Sequence, residues 1–277
     1  MIAIEKVKAK INSSIFFHFQ RMKFSCSYRK IIFSNRPEWA EAIRFGLNKF
    51  NLDLAFIDVH EVKLNQGEIF IPLGVDQSKA AKSLIPNNPF PVANDSAIDM
   101  LDNKRSFSEF MKNSGLGEYI LSRLEYSSDT VKFPAYVKPD IGEDSKGVHL
   151  VRNENELRKA MSSFENGITV LFQEAIIGTK EYATHVLSDH NGIKHAITIE
   201  YYFGKPLFTK GKDSTRIIRP VANFRLDIIE KVLKLANYEG LSCVNYKIQG
   251  GTLKILEINP RFGASLGAYF FDFLRFL

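Results

Sequence analysis

Cysteine is almost missing from this sequence: Cys26 and Cys243 are the two it has, far apart in a chain of 277 residues and without metal-ligand spacing. A disulfide framework and a thiolate zinc site are therefore not expected, and a reducing cytoplasm is the fitting compartment. Long apolar runs are missing near the N-terminus too. A bilayer-spanning helix needs about 20 apolar residues, whereas Ile15-Phe16-Phe17-His18-Phe19, placed between Lys6, Lys8, Lys10 and Arg21, Lys23, is only a short burst. No convincing small-residue cleavage site follows it, so a secretory leader is a poor reading and no membrane partner is expected. Residues 1–27 are left as an unassigned extension, with Met22 as an alternative start.

Several catalytic signatures are absent as well. The first apolar strand runs into Ser34-Asn35-Arg36-Pro37 rather than G-x-G-x-x-G, which removes the dinucleotide fingerprint and disfavours a nicotinamide enzyme. Gly142 and Gly147 satisfy the outer glycines of G-x-x-x-x-G, but Val148-His149 stands where a P-loop needs Lys and Ser or Thr. No Ser-His-Asp or Cys-His set is evident, and His149 and His185 sit within strand patterns and read as structural. The net charge of +6 and the pI near 9.1 allow an anionic partner. The basic residues are nevertheless scattered without aromatic interleaving, so a solvated basic surface is expected and a nucleic-acid partner is not.

What is present is ordinary globular composition, 45% hydrophobic and 25% charged, enough for one large or two medium domains. Ile31-Ile32-Phe33 and residues 54–59 read as buried strands around a helix that starts at Pro37 and has Trp39, Ile43, Leu47 and Phe50 as its apolar positions. A further strand at 69–73 and a helix near 78–84 continue the alternation, which predicts a parallel, doubly wound sheet. The Pro- and Asn-rich stretch 86–94 marks a boundary. Beyond it the pattern predicts a helix over 97–112, strands at 133–139, 148–151, 168–174, 181–187, 193–200 and 206–210, and a helix over 226–235. A hairpin then joins 241–247 to 252–256 across Gln249-Gly250-Gly251 and brings Asn245 near Glu257. Residues 269–277 are strongly apolar: they pack in the core, or they meet a second copy or a partner subunit.

Three stretches carry chemistry. In Leu256-Glu257-Ile258-Asn259-Pro260-Arg261, side chains two apart share a face, so Glu257, Asn259 and Arg261 line up while Ile258 turns inward. A carboxylate and an amide supply oxygens to a hard cation such as Mg²⁺, and a guanidinium suits phosphate or carboxylate; the plain alternative is a strand end with solvated charges. The strand ending in Lys138-Pro139 opens into a polar loop bracketed by Gly142 and Gly147, whose amides suit phosphates, although an ordinary hairpin turn would look alike. The strand through Gln173-Glu174 breaks at Ile177-Gly178 and returns through Glu181. That offers an apolar wall with main-chain polar groups for a base, and a carboxylate for ribose hydroxyls. A surface strand pair with exposed acids is the plain alternative.

The order of these pieces resembles the ATP-grasp superfamily: Asp-x-Lys at 102–104, Val-Lys-Pro at 137–139, the 142–147 glycine loop, Gln-Glu with Gly-x-x-Glu at 173–181, and Glu-x-Asn-Pro-Arg at 257–261. The resemblance implies an α/β chain in which residues 28–97 form a Rossmann-like pre-ATP-grasp domain. Residues 98–277 would be a two-lobed α+β ATP-grasp domain with its small lobe at about 115–183. It further implies that Lys104 and Lys138 contact nucleotide phosphates, that Gly142, Ser145, Lys146 and Gly147 belong to a phosphate flap, that Glu174, Ala175, Ile176 and Ile177 form an adenine hinge, and that Glu181 binds ribose. Glu257, Asn259 and the neutral Asn245 would hold Mg²⁺, with Mn²⁺ as an alternative. Arg261 would steady the transferring phosphoryl group or the acceptor carboxylate, with Lys210, Lys212, Arg216 and Arg219 in the region of further catalytic cations. The implied activity is ATP-dependent activation of a small carboxylate as an acylphosphate for attack by an amine. A phosphotransferase that stops at the phosphorylated product, or a nucleotide-binding subunit without turnover, is the alternative.

Overall fold

The computed structural model describes residues 27–48, 50, 52–121, 123–124, 132–140, 146–165 and 168–277. The readings made for residues 1–26 and for Gly142 and Ser145 lie outside them.

The chain begins with the expected parallel sheet. Strands β1 (Lys30–Ser34), β2 (Asp53–Ile57) and β3 (Glu68–Ile71) assemble in the order β2-β1-β3, each pair parallel. Parallel neighbours need crossovers: helix α1 (Pro37–Leu47) carries the chain from β1 to β2, residues 58–67 with a short helical turn at Val59–Glu61 carry it on to β3, and helix α2 (Val75–Leu84) follows β3. Pro37 opens α1, where its missing N–H is no loss, and Trp39, Ile43 and Leu47 are buried as the spacing predicts.

The helix expected over 97–112 is two helices, α3 (Asp95–Asp102) and α4 (Lys104–Asn113). Asn103 ends the first and starts the second: its side chain accepts from the Ser106 amide at 2.8 Å, while its own N–H returns to the Asp99 carbonyl at 3.2 Å. An amide side chain that bonds the backbone locally competes with helix continuation. The apolar spacing runs on across the break and so conceals it.

Two antiparallel sheets follow. The smaller has β4 (Arg123–Leu124), β5 (Ala135–Pro139), β6 (His149–Val151) and β7 (Val170–Glu174) in the order β4-β7-β5-β6, with α5 (Glu154–Met161) and a core of its own around Val137, Leu157 and Phe172. The larger has β8 (Lys180–Asp189), β9 (Gly192–Tyr202), β10 (Ile217–Val221), β11 (Gly240–Gln249) and β12 (Thr252–Asn259) in the order β10-β9-β8-β11-β12. Helix α6 (Leu226–Leu235) packs its buried face on it. The smaller sheet therefore stops at Glu174, short of residue 183, and the strand holding Glu181 belongs to the larger one. Residues 206–210 do not form the expected strand but a turn in which the Thr209 amide donates to Asp213 at 2.7 Å. One of the two outer strands is β10, where Pro220 is tolerated because one side of an edge strand has no ladder to complete. The β11–β12 hairpin closes through Gly250 (φ 56°) and Gly251 (φ 79°), both left-handed as a two-residue type I′ turn demands.

Residues 264–277 turn inward. Leu266, Phe270, Phe271, Phe273 and Leu274 are buried in a core shared with Phe33 and Trp39 of the first unit and with Ala183, Ile199 and Tyr201 of the larger sheet. These side chains are thereby spent on the interior rather than offered to a second copy. The contact with α1 is close enough that a Cβ on Gly46 would overlap the carbonyl oxygen of Gly267. Among the described residues no helix is long and apolar enough to cross a membrane.

Candidate active site

A cavity of about 370 Å³ is lined from both antiparallel sheets and from α1. Its central carboxylate, Glu257, reaches it through an irregularity the sequence pattern does not show. Leu253 and Ile255 face the core on one side of β12, and simple alternation would send Glu257 after them. The β11–β12 register instead shifts between Asn245 and Tyr246, which pair with Glu257 and Ile255 and leave Leu256 as a bulged extra residue. Past the bulge Ile258 returns to the core, while Leu256, Glu257 and Asn259 line the cavity.

Glu257 is held ionised. Burial pushes its pKa up, but Lys104 and Lys138 and the hydrogen bonds from Asn245 and Asn259 outweigh that and keep it below the ordinary carboxylate range. Its Oε1 accepts from Asn245 Nδ2 at 2.9 Å and from Asn259 Nδ2 at 3.2 Å. Asn245 Oδ1 in turn accepts from Lys210 Nζ at 3.0 Å, so in this arrangement Asn245 braces the carboxylate with its amide nitrogen while its oxygen is taken by the Lys210 ammonium. Arg261 donates to Asn259 Oδ1 at 3.2 Å and to the Phe262 carbonyl at 3.0 Å, with its guanidinium carbon 5.5 Å from the centre of the Trp39 ring.

The cations converge from separate elements. Lys138, at the end of β5, is buried, and burial lowers its pKa to about 8, with Glu257 opposing the shift and Lys104 adding to it. Lys104 arrives because the helix breaks at Asn103: as the first residue of α4 it donates to the Asp140 carbonyl at 3.4 Å. Lys210 Nζ lies 3.4 Å from Glu181 Oε1 and 4.1 Å from the centre of the Tyr201 ring. Burial opposes its charge, yet Tyr201 and Glu181 prevail and raise its pKa. Lys146 lines the cavity, and Gly147 next to it has φ 69°.

The hinge is more selective than the sequence suggests. Ala175 is buried with its amide on the Pro134 carbonyl, Ile176 lines the cavity, and Glu174 and Ile177 are exposed. Gln173, next to Glu174, lines the cavity instead. The Ile176 carbonyl accepts from Lys247 Nζ at 3.3 Å, and that ammonium rests 4.0 Å from the centre of the Phe208 ring, whose own carbonyl accepts from Tyr136 Oη. Lys247 follows Cys243 and Asn245 at strand spacing, a signal that would have found it. Trp39, Tyr201, Phe208 and Ser265 also line the cavity and carry no local signal, because only tertiary packing brings them there.

Three of the expected cations, Lys212, Arg216 and Arg219, are not among the cavity residues. Arg219 stands on the edge strand β10 and binds the buried Glu200 at 2.9 Å, beside Lys180 on the same carboxylate at 2.7 Å. Arg219 is not among the cavity residues. Lys212 donates to the Val148 carbonyl at 2.6 Å and so ties its turn to the start of β6. His185, read as structural, is buried and donates to or accepts from Ser265 at 2.8 Å, and burial followed by Lys210 and Arg261 drives its pKa down to about 3.

Among the described residues no three His, Cys, Asp or Glu side chains gather as a metal cage. One ionised carboxylate beside an amide oxygen is still a fit for Mg²⁺, which takes few protein oxygens and completes its shell with phosphates and water.

A family model for the ATP-grasp domain matches residues 101–265, and the chain belongs to that family. Its relatives include the carbamoyl phosphate synthase large chain of Pseudothermotoga lettingae, 28% identical over 193 residues, which span 61% of this chain and 17% of that protein. The chain thus matches about a sixth of the length of this curated relative. Among solved structures, an L-amino acid ligase from Bacillus licheniformis superposes with a TM-score of 0.61 at 15% identity, over 89% of this chain and 70% of that one. D-alanine–D-alanine ligase from Bacillus anthracis gives 0.59 at 14% identity, over 89% and 95%. N5-carboxyaminoimidazole ribonucleotide synthetase from Thermotoga maritima gives 0.52 at 13%, over 84% and 68%. At these identities the superpositions define the fold.

Proposed function

We propose that this protein is an ATP- and Mg²⁺-dependent ligase that activates a carboxylate as an acylphosphate for attack by an amine. The observation that carries the reading is the ionised Glu257 with Asn259 beside it, set against Lys104 and Lys138 in one cavity with Arg261. Phosphoryl transfer is mainly positioning and charge neutralisation, which is what such a set supplies. Bound Mg²⁺ would neutralise charge on the phosphates, with Glu257 and Asn259 as its protein oxygens and Mn²⁺ as a substitute. Lys104, Lys138 and Lys146 would bind phosphate oxygens, the Ile176 segment would hold the base, and Glu181 would take ribose hydroxyls while keeping Lys210 in place. Arg261 would orient the acceptor carboxylate.

Residues 28–97 read as the pre-ATP-grasp domain, supported by their parallel sheet and by superpositions extending over 89% of the chain. A phosphotransferase that releases a phosphorylated product is the second reading, favoured by the carbamoyl phosphate synthase relative. Incubation with Mg²⁺-ATP and a panel of carboxylates, with and without amines, separates the two by ADP release. Turnover that requires both acid and amine supports the ligase, ADP release with acid alone at full rate supports the phosphotransferase, and nucleotide binding without stimulated turnover removes both.

A further inference from the structure

Lys247 is a buried cation outside the metal and phosphate set. It lines the cavity, yet it is only 3% exposed and stands in β11 between Tyr246 and Ile248. Its Nζ donates to the Ile176 carbonyl at 3.3 Å and lies 4.0 Å from the centre of the Phe208 ring. Both of these partners are neutral. An ammonium held by neutral groups costs free energy to bury, and one that also faces a cleft marks a ligand-binding position.

The cations of the cavity divide by the acid they act on. Lys104 and Lys138 bear on Glu257, the carboxylate assigned to Mg²⁺. Lys247 bears on Glu181, the acid assigned to ribose: burial lowers the pKa of Lys247 and Glu181 opposes the shift. Lys138 stands between the two sets, since Glu257 acts on it more strongly than Glu181 does. By its contacts and by its field, Lys247 therefore goes with the hinge and the ribose acid.

Its surroundings suit a flat ring. Phe208 stacks on Phe203 with ring centres 3.7 Å apart, and its carbonyl is pinned by Tyr136 Oη. Tyr136 pairs across β5 and β7 with Gln173, which precedes the hinge and lines the same cavity as Ile176 and Phe208. An ammonium has three hydrogens, and the Ile176 carbonyl takes one. A heterocycle lying against Ile176 thus meets apolar side chains and, beside them, a cationic donor.

We infer that Lys247 reads the nucleobase: its ammonium donates a hydrogen bond to one unprotonated ring nitrogen of the purine held at the Ile176 segment. This rests on the ligase reading above, which puts a nucleotide there. A purine presents lone pairs in its plane at ring positions 1, 3 and 7, and a charge-assisted bond to one of them is among the stronger contacts a base can make.

The test measures Kd for Mg²⁺-ADP and for Mg²⁺-pyrophosphate, which has no base, on the full chain and on its Lys247→Met variant. The substitution should weaken ADP by about ten-fold, as loss of a hydrogen bond to a charged group does, and leave pyrophosphate within about two-fold. Equal losses for the two would show that Lys247 serves the phosphates, and an unchanged ADP affinity that it serves neither. Either result overturns the inference and leaves the ligase reading standing. The 1-deaza, 3-deaza and 7-deaza forms of ADP, each with one ring nitrogen replaced by C–H, then locate the acceptor. One of them should bind the wild type about ten-fold more weakly than ADP, yet bind Lys247→Met as well as ADP does; the same pattern of losses in both proteins refutes the inference. An apolar side chain in place of an ammonium among neutral groups should hold the melting midpoint at or above wild type. A variant that does not fold would assign the ammonium to the fold and overturn the inference too. If neither ADP nor pyrophosphate binds the wild type, the ligase reading falls and takes the inference with it.

Discussion

Asn245 and Glu257 face each other across the β11–β12 ladder, and the amide of one donates to the carboxylate of the other at 2.9 Å. The pairing fixes the rotamer of the carboxylate in advance of any cation. Replacing Asn245 with Asp sets two carboxylates at that distance, where like charges raise one another's pKa and weaken the fold. The melting midpoint of Asn245→Asp in EDTA is expected to fall below wild type, and Mg²⁺ is expected to raise it by more than it raises the wild type. An equal Mg²⁺ response in both would place the cation elsewhere.

Lys138 should report pH. Its pKa drops from 10.5 to about 8 on folding, so between pH 8 and 10.5 the unfolded chain binds a proton that the folded chain does not. Stability from this group therefore rises as pH increases through that window, by at most about 3 kcal/mol. Nucleotide binding moves the opposite way, since the neutral amine no longer attracts phosphate. The Kd for Mg²⁺-ADP should weaken from pH 7 to pH 9, and Lys138→Arg should flatten that slope. A wild-type Kd that is constant over the range would contradict the assignment.

Asn103 holds the break that delivers Lys104. Asn103→Ala removes the N-cap bond to Ser106 and should cost about 1 kcal/mol in urea unfolding. Since the helices would then tend to merge, the KM for ATP should also rise several-fold. A stability loss with an unchanged KM would mean that Lys104 does not depend on the break.

Leu256 offers a deletion test. Without it, Ile255 and Glu257 would be consecutive partners of Tyr246 and Asn245, and plain alternation would still keep Glu257 on the cavity face. The deletion should fold, and circular dichroism should match the wild type. What is lost is an apolar wall of the cavity, so nucleotide affinity should fall about ten-fold, the worth of one buried side chain. Unfolding of the variant would show that the bulge supports the ladder itself.

The sequence showed most of this fold wherever a single period ran uninterrupted. β1, α1, the hairpin and the burial of Ile258 follow from alternation or helical spacing, and Gly250-Gly251 announces its turn. It misled where one residue changes the phase without changing the composition, since Asn103 splits a helix whose apolar face continues, and it did not show the bulge at Leu256, although Glu257 and Asn259 share the face it gave them. The collinear motifs brought Lys104, Lys138, Glu181, Asn245 and Glu257 to one cavity. Arg219 shares their charge but lies on β10, where the buried Glu200 claims it, and neither the edge strand nor its carboxylate partner is visible in local pattern. Trp39 reads only as a helix core residue, because its second role depends on residues more than two hundred positions away.

The shared interior of Phe33, Trp39, Tyr201 and Phe270 joins the parallel sheet to the larger antiparallel one, whereas the smaller sheet keeps Val137, Leu157 and Phe172 to itself. Bodies that share side chains in one interior cannot rotate apart without exposing them. On the ligase reading proposed above, opening and closing over a nucleotide would fall to the smaller sheet, which carries Lys138 on β5. Trp39, Arg261 and, through α4, Lys104 would then stay with the larger sheet, and Lys138 would be the cation that moves.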